Sequence, residues 1–276
     1  MTTNTAKAKM LRGEPAFGLE LGMGSPLVAE ALAGSGIDYL QIDNQHGDWG
    51  PDSTIAALTA IAGSPATPMA RVARNDYTMI GRLLDEGCLG IVVPMVHTAE
   101  DARAAADACR FPPNGQRSCG WGRVGRNDPS YWDWIDRELF LAVQIESQAA
   151  VDNAEAILST PGVDGCWVGP SDMAFSMGIH PRDMLTDERH QRNLERVLEA
   201  CRNTGTIPGF ASSSPEDAKR RAEQGFLFLT CGGDHTLLMT GAAATVRHLG
   251  LTSTPTDAAR DDLREPSTGG LRGSAR

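Results

Sequence analysis

The stretch FLAVQIESQAAVDNAEAILSTPGVDGCWVGPSD (140–172) decides the fold. It consists of a short apolar run, an amphipathic segment and a second apolar run that ends in Gly-Pro-Ser-Asp. Continuous runs rich in Val, Ile, Leu or Phe are typical of strands buried on both faces. A helix over 148–158 would place Val151 and Ile157 on one apolar face. The stretch therefore predicts a strand, a helix and a second strand.

The same unit recurs along the chain. The eight short apolar runs are FGLELGMG (17–24), YLQID (39–43), PMARV (68–72), GIVVPM (90–95), FLAVQIE (140–146), GCWVGP (165–170), IPGFAS (207–212) and FLFLTCGG (226–233). Helix-like segments separate them, and Pro51 and Pro215 suit first helical turns. Eight strand–helix repeats in about 250 residues predict an α/β fold, the (β/α)8 TIM barrel.

A doubly wound open sheet is the competing architecture. Such a sheet usually opens with a glycine-rich dinucleotide-binding turn after its first strand. Here the first run is followed by Gly22-Met23-Gly24-Ser25-Pro26. This spacing does not match G-x-G-x-x-G, and Pro26 suits a plain helix start. The sequence therefore favours the barrel.

Composition narrows the class of protein. The 276 residues include 35 acidic and 25 basic side chains, a formal net charge of −10. This balance argues against nucleic-acid binding and against electrostatic attachment to anionic membranes. No run of 18 apolar residues exists, and the amino-terminal segment lacks the apolar core of a secretory signal. We therefore expect a cytoplasmic protein with one barrel domain over 1–251 and a disordered tail over 252–276.

The cysteines give no sign of a metal or redox motif. Six are spread along the chain and no Cys-x-x-Cys occurs. Cys88, Cys109 and Cys166 lie among apolar residues, so we expect them to be buried and reduced.

Carboxylates close two neighbouring strands of the predicted barrel. Catalytic groups of such barrels lie at the carboxyl ends of the strands. Glu146 and Asp172 are 26 residues apart, about one repeat, and should converge on one point. Two carboxylates aimed at one point repel unless a cation or proton lies between them, and oxygen ligands alone favour Mg²⁺ or Mn²⁺. The alternative is a pair of solvated carboxylates. Strand alternation places Gln144 on the side of Glu146.

Further polar residues lie at the ends of the second and third predicted strands. Asp43 and His46 are three residues apart, and a carboxylate that accepts from Nδ1–H leaves Nε2 as a base. A purely structural His–Asp pair is the alternative. Arg71 lies between apolar neighbours and could stabilise an oxyanion, or could form an internal ion pair with Asp43 or Glu146.

Other polar features carry less signal. The backbone N–H groups of Ser171 and Asp172, after Gly169-Pro170, could bind a substrate carboxylate. His97, His190 and His248 are expected at the surface. No lysine closes a strand, which argues against a Schiff-base mechanism. The Trp- and Arg-rich stretch 111–138 is too long for a simple connection, and is either a functional loop or a packed flap.

In order along the chain, several motifs together resemble the HpcH/HpaI class II (metal-dependent) aldolases. They are IDNQHG, PMARVARND, IVVPM, RFPPNGQR, VQIES, PGVDGCWVGPSD and GGDHTLL, which extend over nearly the whole predicted barrel. Each motif alone is weak, but their order and spacing are specific. One departure is Gln45, where the family usually has Glu immediately before the histidine.

The resemblance implies a fold, an assembly and a reaction. It implies a (β/α)8 barrel whose carboxyl-terminal helix is exchanged between subunits, in a homo-oligomer built from dimers and commonly a hexamer. It also implies a divalent metal cation, Mg²⁺ or Mn²⁺ with Co²⁺ as a further option. The reaction is reversible aldol cleavage of a small 2-oxo acid substrate to pyruvate, or a related 2-oxo acid, and an aldehyde.

The resemblance also assigns roles to residues of this chain. The assigned residues are Glu146 and Asp172 for the metal; His46, Asp43 and Arg71 for catalysis; and Arg71, Gln144, Gly169, Pro170, Ser171 and Asp172 for the substrate.

We therefore predict a metal-dependent carbon–carbon lyase of this family. Two related activities use the same enolate chemistry, namely decarboxylation of oxaloacetate and cleavage of an acyl-CoA. A CoA enzyme needs a basic nucleotide-binding surface, and the acidic chain shows none. The alternative from a different class is a non-catalytic ligand-binding barrel.

Overall fold

The computed structural model describes residues 3–251, which contain a closed barrel of eight parallel strands in sequential order. The strands are β1 (Ala16–Leu21), β2 (Tyr39–Asp43), β3 (Thr67–Arg71), β4 (Gly90–Val93), β5 (Phe140–Ile145), β6 (Gly165–Val168), β7 (Gly209–Ser212) and β8 (Phe228–Gly233). All eight apolar runs are therefore strands, and the predicted TIM barrel is confirmed. The doubly wound sheet is excluded because β1 pairs with both β2 and β8.

Helices alternate with the strands. They are α1 (Thr5–Leu11), α2 (Pro26–Ala33), α3 (Pro51–Ile61), α4 (Tyr77–Asp85), α5 (Ala99–Cys109), α6 (Arg123–Asn127), α7 (Tyr131–Glu138), α8 (Gln148–Asp152), α9 (Ala154–Leu158), α10 (Pro170–Ser176), α11 (Glu188–Thr204), α12 (Pro215–Glu223) and α13 (Asp234–His248). A short 3-10 turn covers Pro181–Asp183. Polar side chains cap the amino ends of α2, α4 and α12. Ser25, Asp76 and Ser214 each accept from backbone N–H groups of the first helical turn.

Strand alternation creates two apolar regions. One series of side chains points into the barrel, where the ring of Phe228 packs against the rings of Tyr39 and Phe140. The opposite series packs against the surrounding helices in a much larger cluster. Helix α1 closes the amino end of the barrel, because its Ala6 and Met10 belong to the interior cluster. The opposite end, where the strands finish, carries the buried Asp43, Arg71 and Glu146.

Two details differ from the sequence predictions. The helix expected over 148–158 is divided into α8 and α9, which meet at Asn153. The stretch 111–138 contains two short helices, α6 and α7, rather than a continuous loop. The expected burial of Cys88, Cys109 and Cys166 is confirmed.

The chain divides into two compact units, Met1–His235 and Thr236–Arg276. In the second unit, apolar side chains of α13 such as Leu237, Leu238 and Met239 are exposed. The predicted tail over 252–276 lies outside the described residues, so the division at 251 stays a prediction. Within residues 3–251 no helix is long and apolar enough to cross a membrane.

Candidate active site

Neighbouring strands bring Asp43 and Arg71 together at the carboxyl end of the barrel. The two residues are direct partners in the β2–β3 register. Arg71 Nε donates to Asp43 Oδ1 at 2.8 Å, and Nη2 donates to Oδ2 at 2.6 Å. This two-pronged contact fixes the plane of the guanidinium. The internal ion pair with Asp43, one of the two sequence-based interpretations of Arg71, is therefore present.

The guanidinium also has partners beyond Asp43. Its Nη2 lies 3.6 Å from Glu20 Oε2, and its carbon lies 5.3 Å from the centre of the Trp167 ring. Burial lowers the pKa of Arg71, but the hydrogen bonds and charge of Asp43, with Glu20 and Glu146, outweigh it and raise the pKa. Arg71 is thus a permanent cation among three carboxylates, held rigid inside the barrel mouth.

Glu146 follows β5 and is held from two sides. Met95 N–H donates to its Oε1 at 2.7 Å, and Gln144 Nε2 donates to its Oε2 through a short hydrogen bond. Burial raises the pKa of Glu146, and the nearby negative charge of Asp172 raises it further. The charge of Asp172 thus disfavours ionised Glu146, and a cation between the two carboxylates would relieve this repulsion; their convergence on one ion stays a prediction.

The surroundings of Glu146 fit a hard divalent cation. Within residues 3–251, Gln144 Oε1 is buried and has no hydrogen-bond partner. A Cβ added at Gly169 would lie 2.8 Å from Gln144 Nε2 and 3.0 Å from Glu146 Oε2, so the backbone passes close beside these groups. Residues 3–251 contain no cluster of three or more His, Cys, Asp or Glu side chains that could hold a metal ion. The protein thus offers two carboxylates and leaves room for further oxygen ligands.

Asp172 and its neighbours begin α10. Gly169 N–H donates to Ile145 O at 3.2 Å, which ties the start of α10 to the end of β5. Ser171 and Asp172 are exposed, whereas Gly169 and Pro170 are buried. The first turn of α10 therefore begins beside Glu146, and the binding of a carboxylate by its N–H groups stays a prediction.

His46 lies beside Asp43, but the contact differs from the one predicted. Asp43 Oδ1 accepts from the backbone N–H groups of Gln45 at 3.0 Å and of His46 at 3.3 Å. Among the hydrogen bonds of residues 3–251, none joins Asp43 to the imidazole ring. Both Asp43 oxygens are used by Arg71, which explains the difference. Asp43 therefore shapes the loop and holds Arg71, and His46 is exposed at the barrel mouth.

Two other histidines differ from their expected surface positions. His190 is fully buried in α11, and its Nε2 lies 3.0 Å from Pro170 O. Burial lowers the pKa of His190, so the neutral ring donates to that carbonyl and supports the start of α10. The helical spacing of His190, Leu194, Val197 and Cys201, all buried, was the available sequence signal. His97 is half-buried, with Nδ1 2.9 Å from Ser147 Oγ.

The stretch 111–138 packs away from the site. Arg117 Nη2 donates to Asp85 at 2.6 Å and to Tyr131 Oη at 3.0 Å. Arg123 donates to Glu86 O at 2.6 Å. Asp85 and Glu86 lie at the end of α4 that faces the amino ends of the strands. The packed-flap interpretation is therefore the one that the described residues support.

Comparison with known proteins agrees with this geometry. Residues 17–240 match the family model for HpcH/HpaI aldolase/citrate lyase. The chain belongs to this family. A 4-hydroxy-2-oxo-heptane-1,7-dioate aldolase from Escherichia coli is 36% identical over 259 residues, which covers 91% of this chain and 97% of the relative. The Klebsiella pneumoniae protein of the same name is 38% identical over 249 residues, 87% of this chain and 92% of the relative.

A solved structure shows the same fold. The HpcH/HpaI aldolase/citrate lyase family protein from Burkholderia cenocepacia has a TM-score of 0.82 at 31% identity, covering 90% of this chain and 99% of that chain. The predicted family, the barrel and the assignment to an aldolase-type lyase are thereby confirmed. The roles of individual residues stay predictions.

Proposed function

We propose that this protein catalyses metal-dependent aldol cleavage of a 4-hydroxy-2-oxo acid to pyruvate, or a related 2-oxo acid, and an aldehyde. The observation that carries the proposal is a guanidinium, that of Arg71, which two hydrogen bonds to Asp43 at 2.8 and 2.6 Å hold fixed in the barrel mouth where the buried Glu146 also lies. A cation site beside a fixed guanidinium suits a reaction that develops negative charge on an oxygen.

Glu146 and Asp172 would hold the divalent cation, Mg²⁺ or Mn²⁺ with Co²⁺ as a further option. When bound there, the cation supplies a Lewis acid for the oxygens of the 2-oxo acid. Gln144 keeps Glu146 oriented through its Nε2, and its unpartnered Oε1 is free to accept a hydrogen bond from a water. The backbone of Gly169, Pro170, Ser171 and Asp172 would receive the substrate carboxylate.

Arg71 would stabilise the enolate oxygen that cleavage leaves. Its guanidinium is already oriented by Asp43 and Trp167, so little reorganisation is required when charge develops. Asp43 is in this account a positioning residue for Arg71 and for the loop that carries His46.

His46 would accept the proton of the 4-hydroxyl group. The residue is exposed at the mouth, and its ring has no hydrogen bond to another side chain within residues 3–251. A neutral imidazole in this position is available as a base. The C3–C4 bond then breaks, the aldehyde leaves, and the enolate takes up a proton at C3 to give pyruvate.

The test is a metal-supplemented assay of pyruvate release. The purified protein is treated with chelator, then assayed with Mg²⁺, Mn²⁺ or Co²⁺ on a panel of 4-hydroxy-2-oxo acids and, separately, on oxaloacetate. Metal-dependent cleavage of the hydroxy acids supports the proposal. Turnover of oxaloacetate alone would indicate a decarboxylase. Absence of turnover on the whole panel would indicate a non-catalytic barrel and overturn the proposal.

We further propose a homo-oligomer built from dimers, with a hexamer as the largest assembly. The exposed Leu237, Leu238 and Met239 of α13 support this, because contiguous exposed apolar side chains are typical of protein interfaces. Small acids and aldehydes would be the partners of the site, in a cytoplasmic protein. Light scattering of the purified chain measures the assembly directly.

A further inference from the structure

Glu20 is an ionisable group of the barrel mouth that the scheme above does not use. It lies near the end of β1, whose alternate residue Gly18 faces the ring of Tyr39 inside the barrel. Strand alternation therefore directs Glu20 to the interior side as well. Its carboxylate is 32% exposed, and Oε2 lies 3.6 Å from Arg71 Nη2. Glu20 is thus at once in contact with the site and open to solvent.

The closed barrel places Glu20 opposite the proposed metal carboxylates. With eight strands in sequential order, β1 lies across the mouth from β5, whose end carries Glu146. Arg71, at the end of β3, lies 3.6 Å from Glu20, and the negative charges of both Glu20 and Glu146 raise its pKa. A substrate whose 2-oxo acid end lies by Glu146 and whose oxyanion lies by Arg71 extends its remaining carbons toward β1 and β2. Those carbons form the aldehyde product.

Acidic side chains, those of Glu20, Asp43 and Asp234, lie on this side of the mouth. Burial raises the pKa of Glu20, Arg71 lowers it, and the charges of Asp43 and Asp234 raise it again. Asp234 is buried and accepts from Gly22 N–H at 3.0 Å and Met23 N–H at 3.1 Å. Arg71 is already shared with Asp43. Arg74, the next cation after β3, is 72% exposed and lies 3.5 Å from Asp76.

We propose that Glu20 selects substrates whose aldehyde portion is uncharged and disfavours those whose aldehyde portion carries a carboxylate. The inference rests on the aldol cleavage proposed above. A second carboxylate on the distal carbons would face Glu20, and the two nearby arginines of the described residues, Arg71 and Arg74, already have acidic partners. Like-charge contact is a common means of rejecting the wrong ligand. The E. coli relative is named for a heptane-1,7-dioate, whose distal half carries such a carboxylate. That compound therefore serves as the charged substrate of the test.

The test uses two substrates of equal length. Cleavage of 4-hydroxy-2-oxoheptanedioate gives an aldehyde with a carboxylate, and cleavage of 4-hydroxy-2-oxoheptanoate gives one with a methyl group. The wild-type protein should show the higher kcat/KM for the heptanoate. Glu20→Gln, which keeps the shape and removes the charge, should raise kcat/KM for the heptanedioate about 10-fold, a change of about 1.4 kcal/mol, with little change for the heptanoate.

Two controls separate this role from a structural one. Glu14→Gln is the same substitution at the opposite end of the barrel, where Glu14 is exposed and paired with Arg12, and it should leave the ratio unchanged. In the wild-type protein, raising the ionic strength should increase the relative kcat/KM for the heptanedioate, because salt screens repulsion at an exposed mouth. That increase should vanish in Glu20→Gln.

The outcomes distinguish the two proposals. An equal fall in kcat/KM for both substrates would show that Glu20 only positions Arg71, and a ratio unaffected by Glu20→Gln or by salt would show that it selects nothing. Either result overturns the inference and leaves the aldolase proposal standing. Absence of pyruvate from both substrates in the wild-type protein overturns the aldolase proposal and the inference with it.

Discussion

Replacement of Arg71 by lysine tests whether the guanidinium serves the reaction. Arg71 donates two charge-assisted hydrogen bonds to Asp43, at 2.8 and 2.6 Å, and stacks near Trp167. An ammonium keeps the charge but can reproduce neither the two parallel hydrogen bonds to Asp43 nor the contact with the Trp167 ring. Loss of one hydrogen bond to a charged group costs about 1.5–3 kcal/mol of stability. Loss of an oriented oxyanion donor costs roughly 10²–10³ in kcat.

The assay for Arg71→Lys measures pyruvate release and the melting temperature in parallel. We expect a folded protein with a lower melting temperature and a kcat reduced about 100-fold or more. Arg189→Lys is the matched control, since Arg189 forms the same kind of fork with Asp187, at 3.3 and 2.9 Å, on the exposed surface. It should leave kcat unchanged and stability within about 1 kcal/mol. Near-normal turnover by a destabilised Arg71→Lys would refute the reasoning and leave Arg71 a structural residue.

Three further substitutions test the rest of the site. Gly169→Ala should weaken metal binding, because the new Cβ would lie within 3.0 Å of Gln144 and Glu146. The control is Gly81→Ala, whose Cβ meets open space on a helix and which should be neutral or slightly stabilising. Equal metal affinity of the two variants, measured by calorimetry, would contradict a metal site beside Gly169. His46→Ala should reduce kcat about 10²–10⁴-fold; a normal rate of pyruvate release by this variant would show that His46 is not the base. Glu146→Gln should raise the melting temperature of the metal-free protein at neutral pH. The raised pKa of Glu146 means that the folded state favours the protonated form, so this carboxyl lowers stability as pH rises through its folded pKa. Identical melting curves for the two proteins from acid to neutral pH would contradict this.

The fold followed from the sequence because each strand is a continuous apolar run. The adjacency of Asp43 and Arg71 also followed, since residues one repeat apart at strand ends are neighbours in a parallel barrel, and their ion pair was one of the alternatives left open. The contact between Asp43 and the imidazole of His46 did not, because adjacency in sequence cannot show that Arg71 would take both carboxylate oxygens.

The sequence pattern did not predict the positions of two polar residues near the site, for different reasons. Glu20 lies inside an apolar run rather than at its last position, so only strand alternation could have marked it as inward-facing. His190 lies on a predominantly polar helix, where the buried face is marked by Leu194 and Val197 at helical spacing. The support that His190 gives to Pro170 depends on tertiary packing, which the sequence does not encode locally.

The central claim is that Glu146 and Asp172 together hold a divalent cation. Calorimetric titration of chelator-treated protein with Mn²⁺ measures this without any assumption about the substrate. The account predicts binding by the wild-type protein and loss of that binding in both Glu146→Ala and Asp172→Ala, with Asp152→Ala, an exposed carboxylate paired with Arg196, unaffected. Unchanged Mn²⁺ affinity in either Glu146→Ala or Asp172→Ala would contradict the metal site and the mechanism built on it.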